Sequence, residues 1–193
     1  MSDRLHHLDW YGQDLGAASY VGVTFDDVDL TETSTNGATF ENCTFRNCRF
    51  NASVHVATAF VGCDFQRSSF FDAMLDGCKL TGSTFAQCTM RPLAVRGGQW
   101  LGVSLRGTVL ARLDLADLDL READLSMCDL TGTSLRGARL GGATLREAIL
   151  SEADLRGADL SGVDLTTARL SKTLLDLTGA VLLAEQHGAV VEP

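Results

Sequence analysis

The side chains of this 193-residue chain best suited to chemistry are six cysteines and four histidines. Thiolates at Cys43, Cys48, Cys63, Cys78, Cys88 and Cys128 could ligate zinc or pair as disulfides if the fold gathered them. A structural zinc site needs four ligands, however, and His6, His7, His55 and His187 do not share the spacing of the cysteines. Nucleophilic hydrolysis calls for a Ser-His-Asp set, zinc-assisted hydrolysis for HExxH, and phosphate transfer for a glycine loop entering a helix. None of these spacings is present. The chain therefore reads as a non-enzyme with no catalytic residue, cofactor or metal, whose work lies on its surface.

The elements that position the cysteines follow an unusual period. Counting by fives from Leu15 gives Tyr20, Phe25, Leu30, Phe40, Phe45, Phe50, Phe60, Phe65, Phe70, Leu75, Leu80, Phe85, Met90, Val95 and Trp100, and every fifth residue from Leu105 to Leu175 is leucine. Only Thr35 and His55 break the series of large apolar residues. Two residues before each centre stands a small or medium side chain such as Val23, Val28, Ala123, Ala138 or Ala153, and all six cysteines occupy that slot. Reduced cysteine behaves there as a small hydrophobe. Helices and strands have side-chain periods of 3.6 and 2, so neither accounts for five.

A chain with this period turns a corner every five residues and points the centre of each side, and the residue two before it, inward. Four sides close a square coil. Stacking such coils at the strand spacing of ~4.8 Å gives about eight of them in a rod of ~40 Å. Each centre then rests on its counterpart one coil away, which places Cys43 against Cys63 and predicts a local distortion at His55. Glycines such as Gly77, Gly82, Gly157 and Gly162 follow a centre by two, at the corner. Arg91-Pro92-Leu93 is the one departure, expected as a bend or bulge because proline removes a ladder donor.

The formal charge of −9 argues against direct nucleic-acid binding, and the longest apolar run, Ala180–Ala184, is far too short for a membrane span. Residues 1–7 lack the apolar stretch of a secretory signal, so a cytoplasmic location is expected. Charge is unevenly spread. Residues 1–44 carry eight acids against one base, residues 45–112 three against eight, and residues 113–193 fourteen against seven. The densest cluster is Asp114, Asp117, Asp119, Glu122, Asp124 and Asp129, expected to wrap successive sides of about one coil.

The expected division is an N-terminal cap at 1–14, the repeat rod at 15–175, and a helix with tail at 176–193. The stretch Thr178–Gly188 reads as a short helix capped by Asp176 or Thr178 and stopped by Gly188. Packed on the last coil, it would leave Leu177, Val181, Leu182, Val190 and Val191 for a second subunit.

Segments such as Ala123-Asp124-Leu125-Ser126 and Ala153-Asp154-Leu155-Arg156-Gly157-Ala158-Asp159-Leu160 resemble the motif of the pentapeptide-repeat family. That resemblance implies an all-β, right-handed quadrilateral parallel β-helix. Within the family, the Arg91-Pro92-Leu93 break, the uninterrupted coils and the stretch Ala184…His187-Gly188 are similar to the MfpA type. Likeness to that type implies a homodimeric rod that imitates duplex DNA and binds DNA gyrase, or its fellow type II enzyme topoisomerase IV. Such a rod inhibits the enzyme or protects it from fluoroquinolone-like poisons. The acidic cluster would then meet a basic saddle on the enzyme. Two chains carry −18 over ~80 Å, against about 47 phosphate charges on duplex DNA of that length, so the acids must be concentrated where contact occurs. The competing expectation is a scaffold rod with an unrelated protein partner.

Overall fold

The computed structural model describes residues 3–192; Met1, Ser2 and Pro193, which end the segments read as cap and tail, lie outside it. The chain is a four-sided parallel β-solenoid in which residues twenty apart pair. One side runs through Arg4↔Thr24↔Thr44↔Asp64↔Thr84↔Ser104↔Asp124↔Thr144. The next side includes Asp9↔Asp29↔Arg49, the third Asp14↔Ser34↔Val54, and the fourth Ser19↔Thr39↔Ala59. Pairing reaches back to Arg4, so residues 4–14 share the coil geometry of the rod, with Leu5, Leu8 and Trp10 laid against the core.

Side-chain size divides the rod. In the first half, three sides form short strands, such as Thr24–Asp26, Ser34–Asn36 and Thr39–Glu41. Beyond the strand Leu93–Arg96 the pairing contracts to single bridges. There each corner closes on itself, as where the Val103 N–H donates to the Trp100 carbonyl (3.1 Å) and Ala123 to Leu120 (3.1 Å). A residue with positive φ two after the centre makes these type II turns. Glycine fills many such corners, but Asp117, Glu122, Glu147 and Glu152 also take φ of 58° to 60°.

Inside, like stacks on like. Phe25, Phe45, Phe65 and Phe85 form one column with centroids 4.6, 4.8 and 4.6 Å apart and nearly parallel planes. Phe50 and Phe70 stack in a second column at 4.6 Å, and Phe40 and Phe60 in a third at 4.9 Å. Rings of neighbouring columns meet edge-on, as Phe45 and Phe50 do at 5.3 Å. Each such buried ring contributes roughly 1.5–3 kcal/mol before its ordering cost is set against it. Leucine replaces phenylalanine at the centres from Leu105 on, and these leucines are buried as far as Leu165.

The cysteines fill the inward slot between centres, five of them buried and Cys88 half-buried, all as free thiols. Each donates weakly to a carbonyl, as Cys128 does to Leu105 (2.9 Å). Burial pushes the Cys48 thiol up to about 12 and those of Cys78, Cys88 and Cys128 to about 11, so they are neutral packing groups.

His55 causes no distortion, contrary to expectation. It sits in the regular strand Val54–Val56, in register with Thr35 and Leu75, because polar neighbours meet both ring nitrogens. Thr35 Oγ1 lies 2.7 Å from Nδ1 and Ser53 Oγ 3.0 Å from Nε2, while Ser53 donates to the Phe50 carbonyl and Thr58 Oγ1 lies 2.7 Å from Thr35 Oγ1. The two polar centres of the series thus satisfy each other. Burial pushes His55 down to about 4 from its ordinary 6.5. Between those values the unfolded chain binds a proton that the folded chain refuses, so stability falls as pH drops from about 6.5 to about 4, by roughly 3 kcal/mol in all. Urea unfolding of wild type and His55→Leu at pH 7 and pH 4.5 checks this. The variant is expected to lose most of the pH dependence; an equal dependence in both assigns it elsewhere.

Candidate functional site

The aspartates of the acidic cluster begin as turn locks. Asp114, Asp124 and Asp129 each accept a hydrogen bond from the backbone N–H two residues on: from Ala116 (3.1 Å), Ser126 (3.0 Å) and Thr131 (3.0 Å). Asp154, Asp159 and Asp164 do the same further along. A side chain that imitates a backbone acceptor in this way fixes the corner that follows it. The bonds to Thr131 hold the Asp129 carboxyl below the usual carboxylate range. Asp119 is the exception in exposure. It is 3% exposed and is gripped by Arg121 through two contacts of 2.8 Å and by Arg139 at 3.3 Å, so its charge is largely neutralised. The guanidinium of Arg121 is the main cause of its lowered pKa.

The six acids do not form one patch. Asp114 bridges to Ser134, Asp119 to Arg139, Asp124 to Thr144 and Asp129 to Ile149, and these four bridges lie on the four different sides of the rod. Asp117 and Glu122 stand at two successive edges, exposed and in the left-handed corner conformation. The same corner offset on the next coil carries Glu147 and Glu152, also exposed, on the two remaining edges. The sequence reading passed over this pair because it searched for density along the chain; the signal was their offset of two from a leucine centre. Ion pairs in this half go instead to Asp119 and Asp154. Among the described residues the result is a belt of acids with one carboxylate outside any ion pair on every edge.

Beside the belt the rod is basic and partly opened. Arg91–Pro92 is a cis peptide, and Pro92 occupies a corner where its locked φ forbids the left-handed conformation used elsewhere. The strand Leu93–Arg96 keeps its register with Ala73–Asp76 on the preceding coil. Towards the following coil, no bridge or backbone hydrogen bond among the described residues joins 87–97 to 106–116. The break expected at this proline is therefore one-sided, a seam between coils. A cleft of about 270 Å³ follows it, lined by Cys88, Met90, Arg91, Arg106 and Val109 among others. Beyond the seam the ladder resumes, with Trp100 donating to Asp119 (2.8 Å) and Leu105 to Asp124 (2.9 Å).

At the C-terminal end the helix Leu177–Gln186 covers the last coil. Asp176 caps it, accepting from the Gly179 N–H (2.9 Å), and its second oxygen accepts from Gly157 (2.8 Å). Gln186 imitates a further coil, taking the Leu165 N–H (3.0 Å) and donating to the Val163 carbonyl (2.6 Å). Gly179 is buried where a Cβ would press on Leu175 and Leu160. Of the residues assigned to a subunit contact, Leu177, Val190 and Val191 are exposed and Val181 is half-buried. Leu182 packs against the core of its own chain, because its turn of the helix faces the last coil.

A coil of five-residue sides with paired backbones, a leucine or phenylalanine centre and an aspartate lock is a recurring sequence pattern. The family model described as pentapeptide repeats matches in eight copies, over residues 24–53, 57–87, 102–137 and 134–171. This chain belongs to the pentapeptide-repeat family. The pentapeptide repeat protein MfpA of Mycobacterium tuberculosis is 36% identical over 98 residues, which are 46% of this chain and 54% of that one. The match thus spans about half the length of the curated relative. Among solved structures, trypsin-treated QnrB1, a plasmid-mediated fluoroquinolone resistance protein, is similar with a TM-score of 0.53 at 19% identity, over 100% of this chain and 99% of that one. Full-length QnrB1 gives 0.50 at 19% identity, over 96% and 100%. At such identity the likeness speaks for the pentapeptide-repeat fold. No helix among the described residues is long and apolar enough to cross a membrane.

Proposed function

We propose that this pentapeptide-repeat protein is a non-enzymatic DNA mimic that binds DNA gyrase in the place of duplex DNA. In doing so it inhibits the enzyme or shields it from quinolone-like poisons. The observation that carries the reading is the acidic belt. Carboxylates on all four sides, with Asp117, Glu122, Glu147 and Glu152 one to an edge, suit a partner that wraps a rod as a saddle wraps duplex DNA. A flat partner would meet only a quarter of them. The MfpA match and the resistance named for QnrB1 point the same way. The turn-locking aspartates Asp114, Asp124 and Asp129 supply charge as a by-product of the fold, whereas the edge acids have no turn to hold.

The rod pairs end to end through Leu177, Val190 and Val191, which places the two acidic halves together at the centre and the basic segments outside them. Leu177→Asp combined with Val190→Asp is expected to halve the mass in solution; a mass that stays that of a dimer contradicts this contact. The basic stretch 45–112 and its open seam favour one second reading, a scaffold with a further protein partner.

In a supercoiling assay with purified gyrase, the wild-type chain should inhibit. Neutralising the edges together (Asp117→Asn, Glu122→Gln, Glu147→Gln, Glu152→Gln) should abolish inhibition with the circular dichroism unchanged. Inhibition that survives in the folded quadruple variant rejects the belt as the contact, and a wild-type chain without effect rejects gyrase as the partner.

A further inference from the structure

The far end of the rod carries a group of side chains that the proposed contact does not use. We propose that His6, His7 and Asp27 form a binding site for a divalent transition-metal ion of the zinc or nickel class. One ligand atom from each lies within 4.8 Å of the other two, and all three side chains are exposed, so an ion can reach them from solvent. The repeat itself creates the site. His7 and Asp27 occupy the same corner of successive coils with φ of 52° and 53°, so their side chains leave the rod side by side, His7 Nδ1 standing 3.8 Å from Asp27 Oδ2. His6 precedes this corner, and its ring centroid lies 3.5 Å from that of His7.

A supporting shell is present as well. His6 Nδ1 faces Asp26, 3.2 Å from its carbonyl oxygen and 3.4 Å from Oδ2, and the Asp26 carboxylate is itself hydrogen-bonded by Arg4. A histidine whose Nδ1–H is given to a backbone carbonyl, as here to that of Asp26, presents Nε2 to the metal in a fixed orientation. Two imidazole nitrogens and one carboxylate oxygen match zinc or nickel; calcium and magnesium require six or more oxygens. The fourth coordination position opens to solvent. Because the ligands come from the first and second coils, the bound ion ties the terminal coil to its neighbour, and binding to the folded state alone stabilises that end.

The test is calorimetric titration of the full-length, untagged protein with Zn²⁺, paired with thermal unfolding in Zn²⁺ and in EDTA. One ion per chain and a higher midpoint in Zn²⁺ are expected. His7→Ala and Asp27→Asn should each weaken binding about tenfold or more, and His187→Ala not at all. Asp27→Asn keeps the size of the side chain and tolerates the left-handed corner, so it reports on the ligand even if His7→Ala frays the coil. Absence of binding by the wild type, or an affinity unchanged in Asp27→Asn, overturns the site.

Discussion

Each coil of this rod holds its shape because the coil beneath offers it a row of backbone donors and acceptors at one strand spacing. A five-residue side is too short to be stable alone, and a square coil encloses too little apolar volume to fold alone. The ladder between residues twenty apart fixes the distance at which side chains stack, and that distance admits planar rings or leucines directly over one another. From this constraint follow the small inward slot that the cysteines fill, the left-handed corners, and the aspartates that lock them. It also explains why both ends need covers. At one end Leu5, Leu8 and Trp10 lie against the core, and at the other stands a helix whose Gln186 takes up groups that a further coil would have used.

Where the ladder fails, the rod changes character. The proline corner interrupts pairing with the following coil but not with the preceding one, so the seam falls between the phenylalanine half and the leucine half. Trp100, the largest core side chain, lies just past it, and its indole nitrogen is buried without a partner. Gly98 makes room nearby, since a Cβ there would overlap the Cys78 carbonyl. The middle of the rod thus combines basic charge, an open cleft and an imperfect core, while the halves on either side are regular and acidic.

Most of the fold was legible in the sequence because a period of five with two apolar offsets admits few shapes. The centres and the cysteine slot follow from it, while the capping residues left Asp176 or Thr178 to start the helix, of which the structure uses Asp176. Only the distortion expected at His55 failed: Ser53 stands two residues before it, but its other partner, Thr35, joins it only when coils stack, and a linear sequence does not display that satisfied polar column. The wrapping of the six acids over successive sides of one coil was legible in the sequence; the pairing of one of them, Asp119, with two arginines was not. The edge positions of Glu147 and Glu152 follow from the corner offset and not from local density. Leu182 lies half-buried against the core of its own chain because the direction of a short helix on its coil is set by packing that the sequence alone does not specify.

The functional account rests on one physical claim, that an encircling belt of carboxylates lets a protein rod occupy a site built for duplex DNA. Displacement of a fluorescent DNA duplex from purified gyrase, followed by anisotropy, measures this directly. The account predicts that the chain releases the duplex competitively, with an apparent affinity that falls as salt rises, as electrostatic binding requires. A duplex that stays bound at saturating protein, or a release indifferent to salt, would contradict it.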